Sequence, residues 1–203
     1  MSHEREVVVT GMGAVTPLGI GVDALWSGVR EGRSGIDWLS YADDLDPVGF
    51  PVRFGGEVKD CDVQRYLARN CEVRLEKGVQ MGLVAGQEAL RQASLIDNED
   101  QLFDADHVVS VLTGSGQGAC HETEFACNSF KARGVRGLRP SSVPRCMYNA
   151  MSSNVSVYFG LRGTNHTIAS ACSSGTAAIG LAYRDIKHGY ADIVLCGGAD
   201  SPL

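Results

Sequence analysis

Three apolar or β-branched runs, each closed by a cluster of small residues, restrict what this chain can fold into. His107 to Leu112 leads into Gly114-Ser115-Gly116-Gln117-Gly118, His166 to Ala169 into Ala171-Cys172-Ser173-Ser174-Gly175, and Ala191 to Cys196 into Gly197-Gly198. Between them lie stretches of helical composition: about His121 to Arg133, a helix with Pro144 in its first turn running to about Phe159, and Thr176 to Lys187, stopped near Gly189. Proline suits a first turn because its missing N–H has no helical partner there. Strands alternating with helices predict an α/β sheet with layers packed on it. Strands that are apolar throughout are those covered on both faces.

Upstream, Val7 to Thr10 reads as a short strand entering the turn-rich stretch Gly11 to Gly19. Asp23 is placed to cap a helix from Ala24 to Arg30 that ends at Gly32. Residues 40 to 60 read as loop with room for a short strand. Leu75 to Ala93 carries Val79, Leu83 and Leu90 as an apolar stripe near helical spacing. With 203 residues, 44% hydrophobic and 21% charged, the chain can bury a core of its own. A net charge of −6 argues against a nucleic-acid surface, and no apolar run is long enough to cross a membrane. Met1 to Glu6 is polar and charged, which predicts a cytoplasmic chain without a secretory signal.

Two glycine clusters invite a nucleotide reading. In Gly11-Met12-Gly13 the third glycine of the dinucleotide fingerprint would fall on Thr16, and in Gly114-Ser115-Gly116 it would fall on Ala119. The acidic residue expected about twenty positions later at the end of a second strand is not matched after the second cluster, and no Gly-Lys-Ser/Thr occurs. Tight turning and close backbone approach account better for both.

The seven cysteines are Cys61, Cys71, Cys120, Cys127, Cys146, Cys172 and Cys196. Their odd number, irregular spacing and lack of a C-x-x-C pair suggest neither a zinc site nor a disulfide framework. Each is by default a small buried hydrophobe. Cys172 differs in its surroundings. It ends a strand and begins a helix, where unpaired N–H groups and the positive end of the helix dipole favour a thiolate. Small neighbours let the turn be sharp and leave room for a thioester. The arrangement parallels the strained strand-to-helix turn that presents a nucleophile in hydrolases, and the backbone N–H of the corner could help hold a carbonyl oxygen. A structural cysteine in a packed turn fits the same local pattern, and the local residues leave both readings open.

The stretch from Gly163 to Ile179, centred on Ala171-Cys172-Ser173-Ser174-Gly175, closely resembles the active-site signature of the β-ketoacyl-acyl carrier protein synthases. Val7-Val8-Val9-Thr10-Gly11-Met12-Gly13 with Thr16-Pro17-Leu18-Gly19, the turn Gly114-Ser115-Gly116, Gly160-Leu161-Arg162-Gly163, and Ala191-Asp192 through Gly197-Gly198-Ala199-Asp200 resemble that family in the same order. The matches point to its elongating, carrier-protein-dependent branch. The resemblance implies the thiolase-like fold, with residues 1–203 forming the N-terminal half: a mixed five-stranded sheet with helices packed on it. It implies Cys172 as the acyl-carrying nucleophile, with Gly114, Gly116, Gln117, Ser142 and Ala171 around the acyl group. No metal or redox cofactor is implied. The implied partners are an acyl carrier protein bearing acyl or malonyl groups, a second copy in a homodimer, and a C-terminal half, supplied by a separate chain if not by this one. That half carries the two histidines and the lysine that decarboxylate malonyl groups. His3, His107, His121, His166 and His188 do not sit in such motifs, so the 203 residues alone are expected to be incompetent for condensation.

Departures from the pattern bear on substrate and docking. Thr164 stands where the family usually has proline, Gln117 where an apolar residue is common, and Ser141 and Ser142 where aromatic residues often line the pocket. A polar lining would suit an oxygenated or short acyl chain, unless these side chains point elsewhere. Lys131, Arg133, Arg136, Arg139 and Arg145 form a basic segment suited to the acidic surface of a carrier protein, or simply a solvated loop.

Overall fold

The computed structural model describes residues 5–41, 49, 51–59, 61–68, 75–104 and 106–200. Its principal sheet has three parallel strands, β5 (Val109–Gly114), β6 (Asn165–Ile168) and β7 (Ile193–Gly198), in the order β6-β5-β7. Two small antiparallel hairpins accompany it: β1 (Val15–Thr16) with β2 (Gly19–Ile20), and β3 (Asp37–Trp38) with β4 (Phe54–Gly55). The layered α/β class stands; among the described residues the main sheet has three parallel strands where five mixed ones were expected.

Six α-helices are described: α1 (Val22–Arg30), α2 (Lys77–Gln92), α3 (Cys120–Arg133), α4 (Ser142–Cys146), α5 (Ala150–Phe159) and α6 (Ser174–Lys187). Helices α2 and α5 pack against each other on one side of the sheet, and α6 packs on β5 and β7. Val79, Leu83, Val84 and Leu90 of α2 meet Val109 and Val111 of β5 and Val155 and Phe159 of α5 in the central cluster. Leu112, also buried, alternates to the α6 side of the strand. All six residues of β5 are buried, as a strand covered on both faces requires. The expected apolar stripe on the long helix is therefore its core face.

A buried carboxylate ties this side of the core together. Asp100 is fully enclosed and has φ 58°. It accepts hydrogen bonds from Ala68 N–H (2.8 Å), Gln87 Nε2 (2.8 Å), Arg91 Nη2 (2.9 Å) and the Tyr158 hydroxyl (2.9 Å). Residues of α2 and α5 and the turn before α2 thus share one acceptor.

Three expectations need correction. Val7 to Thr10 forms no strand, and Val8 and Val9 are exposed. The segment after it runs along α2 instead: Met12 N–H donates to Gln92 Oε1 (2.7 Å) and Ala14 N–H to Glu88 Oε2 (3.0 Å). A Cβ on Gly11 or Gly13 would overlap the Ala89 or Ala85 carbonyl, so close backbone approach is the use of this cluster. An apolar run becomes a strand only by pairing with a ladder edge, and here the backbone donors just after the run, at Met12 and Ala14, go to side chains of α2 instead. Asp23 lies inside the first turn of α1, and the Val22 N–H is satisfied by Glu88 Oε1 (2.8 Å) from α2, a cap supplied from a distance. The helix expected around Pro144 is two helices, broken where Met147 turns extended with ψ 143°. The break sets the Tyr148 ring against Gly118, whose Cβ would lie 3.3 Å from it.

Candidate active site

The strand order creates the site. The chain enters at β5, adds β6 on one side, then crosses to add β7 on the other, so the order reverses at the carboxyl end of β5. In open α/β sheets such a reversal leaves a crevice at the carboxyl edge, where ligands bind. The register aligns the strand ends there: Gly114 pairs with Ile168 and with Gly198.

The corner between β6 and α6 is built by serines. Ser170 N–H donates to Ser174 Oγ (2.8 Å), and the Ser174 hydroxyl donates to the Ala171 carbonyl (2.6 Å), with the Ser115 carbonyl also in reach (3.2 Å). Ser173 Oγ donates to the Ser170 carbonyl (2.7 Å). Ser174 is buried, so this hydroxyl is fully committed to the turn. The turn forces Ala171 to φ 53°, a left-handed conformation that costs a residue with a Cβ on the order of 1 kcal/mol. Immediately after this strained residue stands Cys172, exposed, two positions before the first residue of the fourteen-residue helix α6.

Glycines permit the corner to sit where it does. A Cβ on Gly114 would run into the Ser174 carbonyl group and lie 2.5 Å from Gly175 N. A Cβ on Gly116 would lie 3.2 Å from the Ala171 oxygen. Close approach of backbone to backbone is therefore what this glycine cluster provides, as anticipated against the nucleotide reading. Asp200, just after β7, locks the turn from the other side. Its carboxylate accepts from Ser115 Oγ (2.7 Å), Gly116 N–H (2.9 Å) and Gln117 N–H (3.3 Å). Beside the turn, a small cleft with about 20 Å³ of room, on the scale of a single water, is lined by Ser115, Gly118, Ala119, Met147, Tyr148 and Met151, among others. Glu76 also borders it, and burial, partly offset by hydrogen bonds from Val79 and Gly78 N–H, pushes its carboxyl above the usual carboxylate range.

Of the residues singled out from sequence, Cys172, Ala171, Gly114 and Gly116 come together at this edge. Gln117 contributes its backbone to Asp200 while the residue is exposed. Ser142 opens α4, where its Oγ accepts Arg139 N–H (3.1 Å), and it is not among the residues lining the cleft. Cys61 and Cys196 are half-buried and burial pushes both thiols up; Cys71 lies outside the described residues. His121 and His166 are exposed, and among the described residues no histidine is hydrogen-bonded to Cys172 and no cluster of three metal-ligating side chains occurs. Arg145 is not part of a basic surface: it is buried and ion-paired with Glu122 of α3. The other four basic residues of that segment are exposed, with Arg139 stacked 4.3 Å over the Phe125 ring.

Asp200, Ser170 and Ser174 are the residues whose part in the site was not read from sequence. The one signal for Asp200 was an acidic residue two positions after a strand ending in Gly-Gly.

Residues 4–203 match the model of the β-ketoacyl synthase N-terminal domain. The chain belongs to the β-ketoacyl synthase family. It is 34% identical over 201 residues to 3-oxoacyl-[acyl-carrier-protein] synthase 2 of Synechocystis sp., covering 99% of this chain and 47% of the relative. It is 34% identical to the protein of the same name from Vibrio cholerae, over 97% of this chain and 46% of that one. Among solved structures, the ishigamide ketosynthase/chain length factor superposes with a TM-score of 0.85 at 25% identity, over 98% of this chain and 48% of that chain. The fold is thiolase-like, and the chain spans about half the length of the relatives it matches. In this synthase-family domain no described helix is long and apolar enough to cross a membrane.

Proposed function

We propose that this chain forms the acyl-accepting half of a β-ketoacyl-acyl carrier protein synthase, with Cys172 as the nucleophile. The observation that carries the reading is an exposed thiol on a strained corner at the carboxyl-edge crevice. The Cys172 sulfur attacks the thioester carbonyl of an acyl carrier protein, the carrier's C–S bond breaks, and the carrier thiol leaves with a proton. The Cys172 backbone N–H helps hold the carbonyl oxygen during this exchange. Gly114, Gly116 and Ala171 set the backbone around the acyl group, with the Gln117 backbone holding the same turn, whereas Ser142, bonded to Arg139 N–H at the start of α4, drops out of the acyl lining. A malonyl-carrier protein then loses carbon dioxide, the carbanion attacks the Cys172 thioester, and the β-ketoacyl-carrier product leaves with the Cys172 sulfur restored as thiol.

Residues 1–203 are one half of the active unit in this reading. The second half, in the same polypeptide or a separate one, supplies the groups that decarboxylate malonate. Two facts support this: the relatives are about twice as long, and no described histidine engages Cys172. Helix α6 buries only Ser174, Ala178 and Ala182, and the exposed Ile179 and Tyr183 on one flank and Leu181 on the other support further covering of this helix, by the second half and by a second copy in a homodimer. A cytoplasmic location accompanies the reading. A non-catalytic, merely dimerising subunit is disfavoured by the placement of Cys172.

Incubation with acyl-acyl carrier protein should add one acyl group by intact mass, and Cys172→Ala should abolish the addition without changing the circular dichroism. An adduct that survives in Cys172→Ala would sink the assignment. Condensation product from residues 1–203 with nothing else added would sink the two-half reading.

The exposed Lys131, Arg133, Arg136 and Arg139 stand out on a chain of net charge −6 and are proposed to meet the acidic carrier protein. Lys131→Glu with Arg136→Glu should slow acyl transfer from the carrier about tenfold at low salt, an effect that shrinks as salt screens the encounter. Iodoacetamide labelling of Cys172 should not change. Equal transfer rates for variant and wild type at low salt would refute this docking surface.

A further inference from the structure

Asp200 does more than end a strand. Its two oxygens accept three hydrogen bonds from consecutive residues, Ser115 Oγ, Gly116 N–H and Gln117 N–H. Ser115 Oγ in turn accepts Gly118 N–H (2.8 Å), so the carboxylate organises the whole turn from 115 to 118. Successive backbone N–H groups aimed at one anion form a nest, and here the anion is the chain's own side chain. The nest touches the corner directly. Gly116 lies against the Ala171 carbonyl, and the Ser115 carbonyl lies 3.2 Å from the Ser174 hydroxyl that closes the corner. Ala171 sits in a conformation that persists only where its surroundings over-determine it.

We propose that Asp200 is a positioning residue for Cys172. Its carboxylate holds the 115–118 turn as a rigid brace behind Ala171, and the brace keeps the strained corner, and with it the thiol, in one orientation. Without the anion, two N–H groups and a hydroxyl at the carboxyl edge lose their acceptor, the turn relaxes, and Ala171 can leave φ 53°. The proposal rests on Cys172 being the reactive thiol of this domain. It goes beyond the corner itself, because the Asp200 carboxylate is bonded to residues 115–117 and acts through their turn.

The test measures the alkylation rate of Cys172 by iodoacetamide in the full chain, read by peptide mass spectrometry, with exposed Cys127 on α3 as internal reference. Asp200→Ala should slow Cys172 about tenfold, the factor carried by one charge-assisted hydrogen bond, while Cys127 is unchanged. Asp200 is itself exposed, so a small anion can reach the vacated place. Sodium formate should therefore restore most of the lost rate in Asp200→Ala, and sodium chloride at equal ionic strength should not. Asp200→Asn, which keeps the shape and one acceptor oxygen, should fall between wild type and Asp200→Ala, and it carries the test if the alanine variant does not fold. An unchanged Cys172 rate in Asp200→Ala, or in Asp200→Asn where that variant carries the test, overturns the proposal. So does a slowed rate in folded Asp200→Ala that formate leaves unmoved, since a merely structural loss has no reason to respond to an anion. Because iodoacetamide needs no carrier protein, these outcomes are separable from a failure of Cys172 to accept acyl groups.

Discussion

Gly114→Ala is expected to lower the stability of this domain by roughly 3 kcal/mol, the upper end of what overpacking a tight core costs, and to displace the Cys172 corner. A Cβ at position 114 falls on the backbone of Ser174 and Gly175, the first turn of α6, and not on the movable end of a side chain. Gly114 is also the last residue of the buried central strand and is paired on both sides, with Ile168 and Gly198, so it cannot retreat without opening two ladders. Gly198 closes the third side, since its own Cβ would lie 3.0 Å from the Gly175 Cα. Relief must come from α6 moving outward, and α6 carries the corner with it. Urea unfolding should show a lower midpoint, and Cys172 labelling by iodoacetamide should change while Cys127 labelling does not. A midpoint equal to wild type would show that the crowding at this strand end is not as tight as described.

Asp100→Ala is expected to cost about 3 kcal/mol or more, since each buried donor left without an acceptor costs about 1–3 kcal/mol. The side chains of Gln87, Arg91 and Tyr158 and the Ala68 N–H all lose the same partner. Gln87 is buried, so water cannot readily replace the carboxylate there, whereas Arg91 is 39% exposed and can recover some hydration. The positive φ adds a second cost, because alanine holds a left-handed conformation less well than Asp or Asn. Asp100→Asn separates the two contributions. It keeps the backbone preference and the volume, but its amide NH₂ must face other donors, so it should recover only part of the loss. Thermal or urea unfolding of the three proteins checks the order wild type, Asn, Ala. If Asp100→Asn matches wild type, the charge at this position is not what the surrounding donors require.

Much of the fold was legible along the chain because its signals are local. Continuous apolar runs ending in glycine located β5 and β7, and the spacing of Val79, Leu83 and Leu90 located α2 and its buried face. The corner at Cys172 was legible for the same reason: a β-branched run, a cysteine among small residues and a helical stretch describe a strand-to-helix turn within a dozen positions. The rest depended on partners far away in sequence. Val7 to Thr10 has every local property of a strand, yet a strand needs an edge to pair with, and the donors that follow it went to Glu88 and Gln92. The N-terminus of α1 reads as if Asp23 should cap it, but Glu88 arrives from 66 residues away to accept Val22 N–H. Arg145 counts as a surface charge until the fold buries it against Glu122.

The candidate site divides along the same line. From the residues alone it follows that Cys172 stands on a tight turn before a helix, that a glycine turn from Gly114 to Gly116 closes a buried strand, and that the chain resembles the carrier-protein-dependent synthases. Those features are written in short windows, where backbone preference and side-chain size act. Three features came from packing across the fold: the two turns back onto one another, Ala171 is held at positive φ, and the Asp200 carboxylate accepts the hydrogen bonds of the turn behind it. These depend on parallel strand register and on which side of β5 each later strand joins, and no local preference of the chain encodes that choice.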